Sequence, residues 1–197
     1  VLGKYLSFLW NPGTTTPSEN IQKLKPGEAM TIKAGRVVKR WIWFDAPIKA
    51  PRIVKGTDRE LITQTTNALR KAVHRQMVAD VPVGAFLSGG LDSSAVVALA
   101  REVSPDITCY TIASTGGPED GMVDDLPYAR RVAEHLNVQL EVVQVDSEEM
   151  ACDLERMVCQ LEEPLADPAC LNVLYISQLA REHEVKVLLS GSGGDDL

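Results

Sequence analysis

The pattern of apolar positions changes character near residue 56. Before that point, short strand-like stretches such as Ala29–Ile32 and Val37–Phe44 are separated by turn sequences that contain proline and glycine. After it, continuous apolar runs alternate with stretches in which apolar residues recur at every third or fourth position, as on one face of a helix. We therefore predict a mostly β segment and linker over residues 1–56 and an α/β domain over residues 57–197.

The α/β domain is predicted to contain four buried strands separated by helices. Thr57 and Glu60 form a capping-box sequence before its first helix, and Ser147 is predicted to cap a later helix that runs to Leu161. The strands are predicted at Val83–Leu87, Ile107–Ala113, Val138–Val145 and Val185–Leu189. The other helices are predicted at Asp92–Val103, Asp125–Leu136 and Ala169–Glu182. Because the strands are apolar runs without polar alternation, we expect a parallel, doubly wound sheet covered on both faces.

The composition argues against several classes of function. The 197 residues carry a net charge of −7, whereas sequence-independent nucleic-acid binding needs a basic face. No apolar run reaches the length of about 18 residues that predicts a membrane span, and the start at Val1 lacks a signal-peptide pattern. The four cysteines have neither C-x-x-C nor zinc-ligand spacing, so we predict free thiols in the core of a cytoplasmic protein.

The loop after the first predicted strand is the most informative stretch. It reads Ser-Gly-Gly-Leu-Asp-Ser-Ser over residues 88–94, between an apolar strand and an apolar helix. Gly89 and Gly90 permit positive φ angles and a close approach to the backbone, and a helix N-terminus offers unpaired N–H groups to an anion. Hydroxyl donors are added by Ser88, Ser93 and Ser94. We therefore predict a phosphate or pyrophosphate cradle here.

Asp92 is the unexpected member of this loop, because a carboxylate repels bound phosphates. A divalent cation such as Mg²⁺ removes the conflict, since it is bound by carboxylate and phosphate oxygens together. The alternative is that Asp92 only caps the helix. The loop matches neither G-x-x-x-x-G-K-[ST] nor G-x-G-x-x-G.

The loop resembles the PP-loop of the N-type ATP pyrophosphatases, which release pyrophosphate and form an adenylated intermediate. Other stretches are similar to the asparagine synthetases within that group. They are Leu161–Pro168 (their LDEPFADP), Leu188–Asp196 (their LSGEGGDE), Asp124-Asp125 (their DE pair), and Ile21, Lys23–Gly27 and Trp43–Asp45 (the end of their glutaminase domain). The resemblance covers nearly the whole chain.

The resemblance implies a role for each matching residue. The phosphates of ATP would lie on Ser88, Gly89, Gly90, Asp92, Ser93 and Ser94. The adenosine would lie over the strand ends, against Leu87, Ile112, Ser190 and Gly191, although Leu87 and Ile112 fit a core role equally well. Mg²⁺ would be held by Asp92 and Asp195, the latter also fitting a loop-capping role. Glu163 would face the substrate or lie on the surface as an ordinary glutamate.

The implied reaction is the ATP-dependent amidation of a carboxylate, with aspartate as the favoured substrate and glutamine as the source of ammonia. The carboxylate attacks the α-phosphate, and ammonia then displaces AMP. Two residues depart from the family: Ser192 replaces a glutamate thought to act as a base or to contact the substrate, and Asp196 replaces another. No catalytic residue is assigned. The start without methionine leads us to expect an excerpt that binds nucleotide weakly and makes no product.

Three alternatives stay open. A PP-loop enzyme that activates a nucleobase or a tRNA base is disfavoured by the acidic charge and by Glu163-Pro164. A relative that amidates a carboxylate other than aspartate, or a non-catalytic nucleotide-binding module, is favoured by Ser192. The resemblance is also compatible with a homodimer.

Overall fold

In a computed structural model of the protein, residues 2–45, 55–115, 125–167 and 169–194 are described. They divide into two compact units. The N-terminal unit comprises Val1–Lys55 together with Val158–Asp167, and the sheet unit comprises Gly56–Met157 together with Pro168–Leu197. The segment Val158–Asp167 thus groups with the first 55 residues, although it lies far along the α/β region of the sequence.

The N-terminal unit contains a short helix and an antiparallel hairpin. Helix α1 spans Leu2–Phe8, and strands β1 (Glu28–Lys33) and β2 (Arg36–Ile42) pair through a turn at Ala34-Gly35. Both turn residues have positive φ, the arrangement that matches the twist of a two-residue hairpin. Every residue of β2 is exposed, so the hairpin does not bury an apolar face.

The sheet unit is an α/β fold with a parallel four-stranded sheet in the order β5-β4-β3-β6. The strands are β3 (Val83–Phe86), β4 (Thr108–Ser114), β5 (Gln139–Val145) and β6 (Val187–Leu189). The helices are α2 (Asp58–Gln76), α3 (Leu91–Arg101), α4 (Leu126–Leu136), α5 (Ser147–Cys152), α6 (Leu154–Gln160) and α7 (Ala169–Glu182). The predicted fold class is confirmed.

Each face of the sheet has its own core because side chains alternate along the strands. On one face, Leu87 and Cys109 pack with residues of α2, α3 and α4. On the other, Tyr110 packs with Ile176 and Ala180 of α7. Helices therefore cover both faces, as the apolar strand sequences predict. Among the described helices, none has the combined length and apolar character of a membrane span.

The strand order reverses beside β3. The chain proceeds from β3 to β4 and β5 in one direction, whereas β6 pairs with the opposite edge of β3. In open parallel sheets, ligands bind outside the carboxyl ends of the strands at such a switch point. The topology therefore predicts a ligand site at the loops that follow β3 and β6.

Local predictions from the sequence are partly confirmed. The capping box is formed: the Thr57 N–H donates to Glu60 Oε2 at 2.8 Å, and the Glu60 N–H to Thr57 Oγ1 at 3.4 Å. Ser147 is not a cap, because Asp146 accepts from the Glu149 N–H at 2.7 Å instead. The single helix predicted there is two helices, since the chain breaks at Asp153 between α5 and α6.

The four cysteines are free thiols, as predicted, but only one lies in the core. Cys109 is buried in β4, and burial raises the pKa of its thiol to about 12. Cys152 and Cys159 are exposed. Their absence from the core corrects the expectation that all four thiols pack inside the protein.

Candidate nucleotide-binding site

The loop after β3 leads into helix α3, whose N-terminus lies at the switch point of the sheet. Gly90 is the N-cap residue of α3, and no side chain caps the helix. The first backbone N–H groups of α3 therefore lack intrahelical partners, which is the arrangement that attracts an anion. Asp92 lies in the first turn and makes no capping bond, so its carboxylate does not serve as the helix cap.

Gly89 is required by both conformation and space. Its φ is +81°, in the left-handed region that favours glycine. A Cβ atom at this position would lie 2.4 Å from the Tyr128 carbonyl carbon and 2.5 Å from the Ala129 nitrogen. The loop thus passes directly over the first turn of α4, and only glycine allows that approach.

The serine hydroxyls of the loop bond to one another and to the turn. Ser88 Oγ and Ser93 Oγ are 3.0 Å apart, and the Gly90 N–H donates to Ser88 Oγ at 3.4 Å. The Ser93 and Ser94 hydroxyls donate to the Gly90 carbonyl at 3.2 and 2.6 Å. Because the Ser94 proton is used within the helix turn, Ser88 is the hydroxyl best able to reorient toward a ligand.

The loop after β6 packs against the same helix end through two glycines. A Cβ on Gly191 would lie 2.7 Å from the Ser93 nitrogen, and one on Gly194 would lie 2.4 Å from the Asp92 carboxylate carbon. In the same loop, the hydroxyl oxygens of Ser190 and Ser192 are 2.7 Å apart, and the Ser192 N–H donates to Ser190 Oγ at 3.1 Å. Two stretches about a hundred residues apart in sequence therefore form one site.

A cavity of about 430 Å³ opens over the ends of β3, β4 and β6. This volume lies within the range of small-molecule sites, roughly 300–1,000 Å³. Of the residues expected to bind nucleotide, the lining includes Leu87, Ser88, Gly90, Asp92, Ser93, Ile112, Ser190 and Gly191. Gly89 and Ser94 instead line a neighbouring groove of about 640 Å³ with residues of α4 such as Tyr128 and Arg131. Asp195 lies outside the described residues.

Leu87 lies in the core and also borders the cavity. It is 1% exposed and packs in the core, and its N–H donates to the Tyr110 carbonyl at 2.9 Å. It also borders the cavity. Ile112 is half-buried and likewise contributes to both the lining and the second core.

The sequence did not identify the contribution of α7 to the cavity. Ala169, Asn172, Val173 and Ile176 line it from the start of that helix. Their spacing along α7 places them on one helix face, but the same spacing is typical of core packing, and no sequence signal separates the two. Asp125, which precedes α4, also lines the cavity.

A Mg²⁺ ion fits this site as a partner of bound phosphate. Within residues 2–45, 55–115, 125–167 and 169–194, no group of three or more His, Cys, Asp and Glu side chains is arranged to hold a metal. Mg²⁺ usually takes one or two protein carboxylates and completes its octahedron with phosphates and water. The Asp92 carboxylate makes no capping bond and lies in the first turn of α3 beside the cavity, so it suits that requirement.

Glu163 is held by polar contacts within the N-terminal unit. Its Oε1 lies 2.8 Å from Lys23 Nζ, and Tyr5 donates to its Oε2 at 3.2 Å. The Lys23 hydrogen bond holds the pKa of Glu163 below its usual value. Glu163 is therefore paired and is not an isolated surface glutamate.

The sheet and its switch-point loops define an α/β protein with a parallel, doubly wound sheet. The family model described as asparagine synthase matches residues 64–197, and the chain belongs to that family.

The similar curated proteins agree with this assignment. The chain is 31% identical over 196 residues to a glutamine-hydrolysing asparagine synthetase of Bacillus subtilis, and 33% identical over 199 residues to a putative one of Mycobacterium bovis. Each match covers the whole chain but only 30% and 29% of the relative. The chain therefore spans about a third of their length. A solved U34-tRNA thiolase from Methanococcus maripaludis has a TM-score of 0.49 and 18% identity, covering 71% of this chain and 48% of that one.

Proposed function

We propose that the sheet unit binds the nucleotide of an ATP-dependent, amide-forming ligase of the asparagine synthetase type. The observation that carries the proposal is the meeting of the 88–94 loop, the α3 N-terminus and the 190–194 loop at the sheet's switch point. In such an enzyme a substrate carboxylate attacks the α-phosphate of ATP, pyrophosphate leaves, and ammonia from glutamine displaces AMP.

The phosphates are proposed to lie on the α3 N-terminus. The first-turn N–H groups and the Ser88 hydroxyl donate hydrogen bonds to the phosphate oxygens, and the helix dipole favours their charge. Asp92 would hold Mg²⁺. Asp195, which follows Gly194 in the sequence, would be its second protein ligand. When bound, Mg²⁺ neutralises charge on the pyrophosphate leaving group.

The adenosine is proposed to lie over the strand ends. Ile112 and Leu87 provide apolar surface there, and Ser190 and Gly191 provide backbone groups at the end of β6. The expected ligands of the whole protein are ATP, Mg²⁺ and a small carboxylate. Ammonia would come from a glutaminase domain, of which residues 1–56 are proposed to be the final part.

Aspartate is the favoured acceptor because the similar curated proteins are asparagine synthetases. A second candidate is a different carboxylate, and the observation that favours it is Ser192. Its hydroxyl contacts Ser190 at the cavity edge and is not ionised at neutral pH, so it does not replace a carboxylate base.

Free thiols at Cys152 and Cys159 suit the reducing cytoplasm, which we propose as the location of the protein.

Two measurements test the proposal. Calorimetric titration of the 197-residue chain with ATP and MgCl₂ should show saturable, weak binding that disappears without MgCl₂. For the full-length enzyme, turnover with glutamine and candidate acids should release AMP and pyrophosphate, with aspartate and other carboxylates as separate arms. Release of ADP, or no binding of ATP by the chain at millimolar concentration, would refute the proposal.

A further inference from the structure

Helix α7 contributes a wall to the cavity of the sheet unit, and that wall is apolar except at one position. Ala169, Val173 and Ile176 present apolar side chains to the cavity, and Asn172 lies among them. Ile176 packs in the same apolar cluster as Ile112, the residue over which the adenosine is proposed to lie. This cluster fixes the cavity-lining face of α7 against β4.

Asn172 lies one helical turn before Ile176, on the same face of α7. Residues four positions apart are neighbours on a helix surface, and one turn advances along the axis by about 5.4 Å. Exposure falls steadily along this face, since Asn172 is half-buried, Ile176 is 6% exposed and Ala180 is 1% exposed. Asn172 is therefore at the rim of the apolar cluster, where the helix borders the open cavity.

The side-chain amide of Asn172 has no evident role in holding the fold. In the part of the chain that the structure describes, no group forms a hydrogen bond with this amide. Asn172 is the fourth residue of α7, inside the helix, where asparagine is a poorer helix former than alanine. By contrast, the amide oxygen of Asn67 accepts from Arg70 at 3.0 Å. The Asn172 amide is thus available to a ligand in the cavity.

The surroundings of this amide favour a neutral, flat ligand group. Val173, Ile176 and Ile112 provide apolar surface, and the carboxylates that line the cavity are Asp92 and Asp125. Its described lining contains no Lys, Arg or His side chain, so a substrate carboxylate against the α7 wall would lose water without gaining a countercharge. A nucleobase avoids that cost. A carboxamide also matches adenine, whose amino group donates while a neighbouring ring nitrogen accepts.

We infer that Asn172 is a specificity-determining residue that reads the amino edge of the adenine ring. Its Oδ1 accepts from the 6-amino group, and its Nδ2 donates to the neighbouring ring nitrogen. This inference rests on the proposed function and deepens it, because it assigns recognition of the base to α7 and leaves recognition of the phosphates to the N-terminus of α3. A base without the 6-amino group offers no donor to Oδ1.

The inference is tested by comparing ATP with purine riboside triphosphate, which lacks only the 6-amino group. In calorimetric titrations of the 197-residue chain with MgCl₂, the wild type should bind ATP about 5- to 50-fold more tightly than the analogue. In N172A this preference should fall to about 2-fold or less, because neither nucleotide then meets the amide. N172A should keep the circular-dichroism transition of the wild type, since the amide has no partner to lose and alanine favours the helix.

N67A is the matched control, because Asn67 lies on α2 and does not line the cavity. It should keep the wild-type preference for ATP. A merely structural role for Asn172 would lower both affinities by the same factor in N172A and preserve the preference, and that result would overturn the inference. Equal affinity of the wild type for the two nucleotides would also overturn it, while leaving the proposed function in place. Failure of the wild type to bind ATP would refute the proposed function and the inference together.

Discussion

Each of the two units is stabilised internally by a different kind of interaction. In the part of the chain that the structure describes, every buried apolar side chain lies in the sheet unit. The N-terminal unit buries Asn11 and relies on polar contacts around Lys23, while Trp43 and Phe44 are 68% and 55% exposed. Apolar burial is the main source of folding stability.

This contrast predicts that the two units respond to different kinds of change. The sheet unit fixes the nucleotide cavity through tight packing, so it should respond sharply to steric changes. The N-terminal unit should respond instead to changes of charge, salt and pH. All three tryptophans (Trp10, Trp41 and Trp43) lie in the N-terminal unit, so fluorescence reports on it selectively, whereas far-UV circular dichroism reports mainly on the helices of the sheet unit.

The largest effect is expected from Gly89→Ala in the sheet unit. Left-handed backbone alone costs a non-glycine residue about 1–2 kcal/mol, and the new methyl group would also clash with the backbone of α4. The free energy of unfolding should fall by more than this amount in a urea titration followed by circular dichroism, and ATP binding should be lost.

Gly35→Ala is the matched control in the N-terminal unit. Gly35 has a similar φ of +73°, but a Cβ there would meet nothing within 4 Å. This variant should keep ATP binding and the circular-dichroism transition of the wild type. Equal losses in the two variants would contradict the steric difference between the two sites.

The next effect is expected from Asp92→Asn. Loss of the carboxylate should weaken Mg²⁺-dependent ATP binding by about 10- to 100-fold, which corresponds to roughly 1.5–3 kcal/mol for an interaction with a charged group. The change should be visible by calorimetry with MgCl₂ and absent in EDTA. Asp58→Asn, which alters the first turn of α2 instead of α3, should leave the affinity unchanged. An unchanged affinity in Asp92→Asn would remove Asp92 from the metal site.

A smaller effect concerns the acid response of the N-terminal unit. The Lys23 hydrogen bond lowers the pKa of Glu163 in the folded state, so the pair contributes stability above the unfolded glutamate pKa of about 4.3. That contribution is lost as the pH falls below this value through the lower folded pKa. Tryptophan fluorescence should therefore show an acid transition that is reduced in Glu163→Gln. An identical transition in the wild type and the variant would show that the pair does not control it.

The smallest effect concerns thiol reactivity. A buried Cys109 with a thiol pKa of about 12 stays protonated at pH 8 and should react with a thiol reagent only after unfolding. Cys152 and Cys159 are exposed and should react in the native protein. Mass spectrometry after brief labelling distinguishes them. Fast labelling of Cys109 would indicate that the core around β4 opens readily.

The fold was largely predictable because its signals are local. The apolar runs predicted β3–β6 to within about two residues, and the glycines of the 88–94 loop marked the turn into α3. The N-cap of α5 was misassigned because Ser147 and Asp146 are adjacent residues of similar capping ability. The pairing of Glu163 was not predicted because its partners Lys23 and Tyr5 are more than a hundred positions away. The α7 wall of the cavity was missed because the spacing of its lining residues is also typical of core packing.

The central claim is that the triphosphate of ATP rests on the loop between β3 and α3. It is tested most directly by a crystal structure of the protein with MgCl₂ and an ATP analogue whose α,β-bridge is a methylene group. We expect the phosphates at Ser88–Ser94, with the metal beside Asp92 and the adenine over Ile112. Phosphates bound elsewhere, for example in the groove formed by Tyr128 and Arg131, would contradict the account.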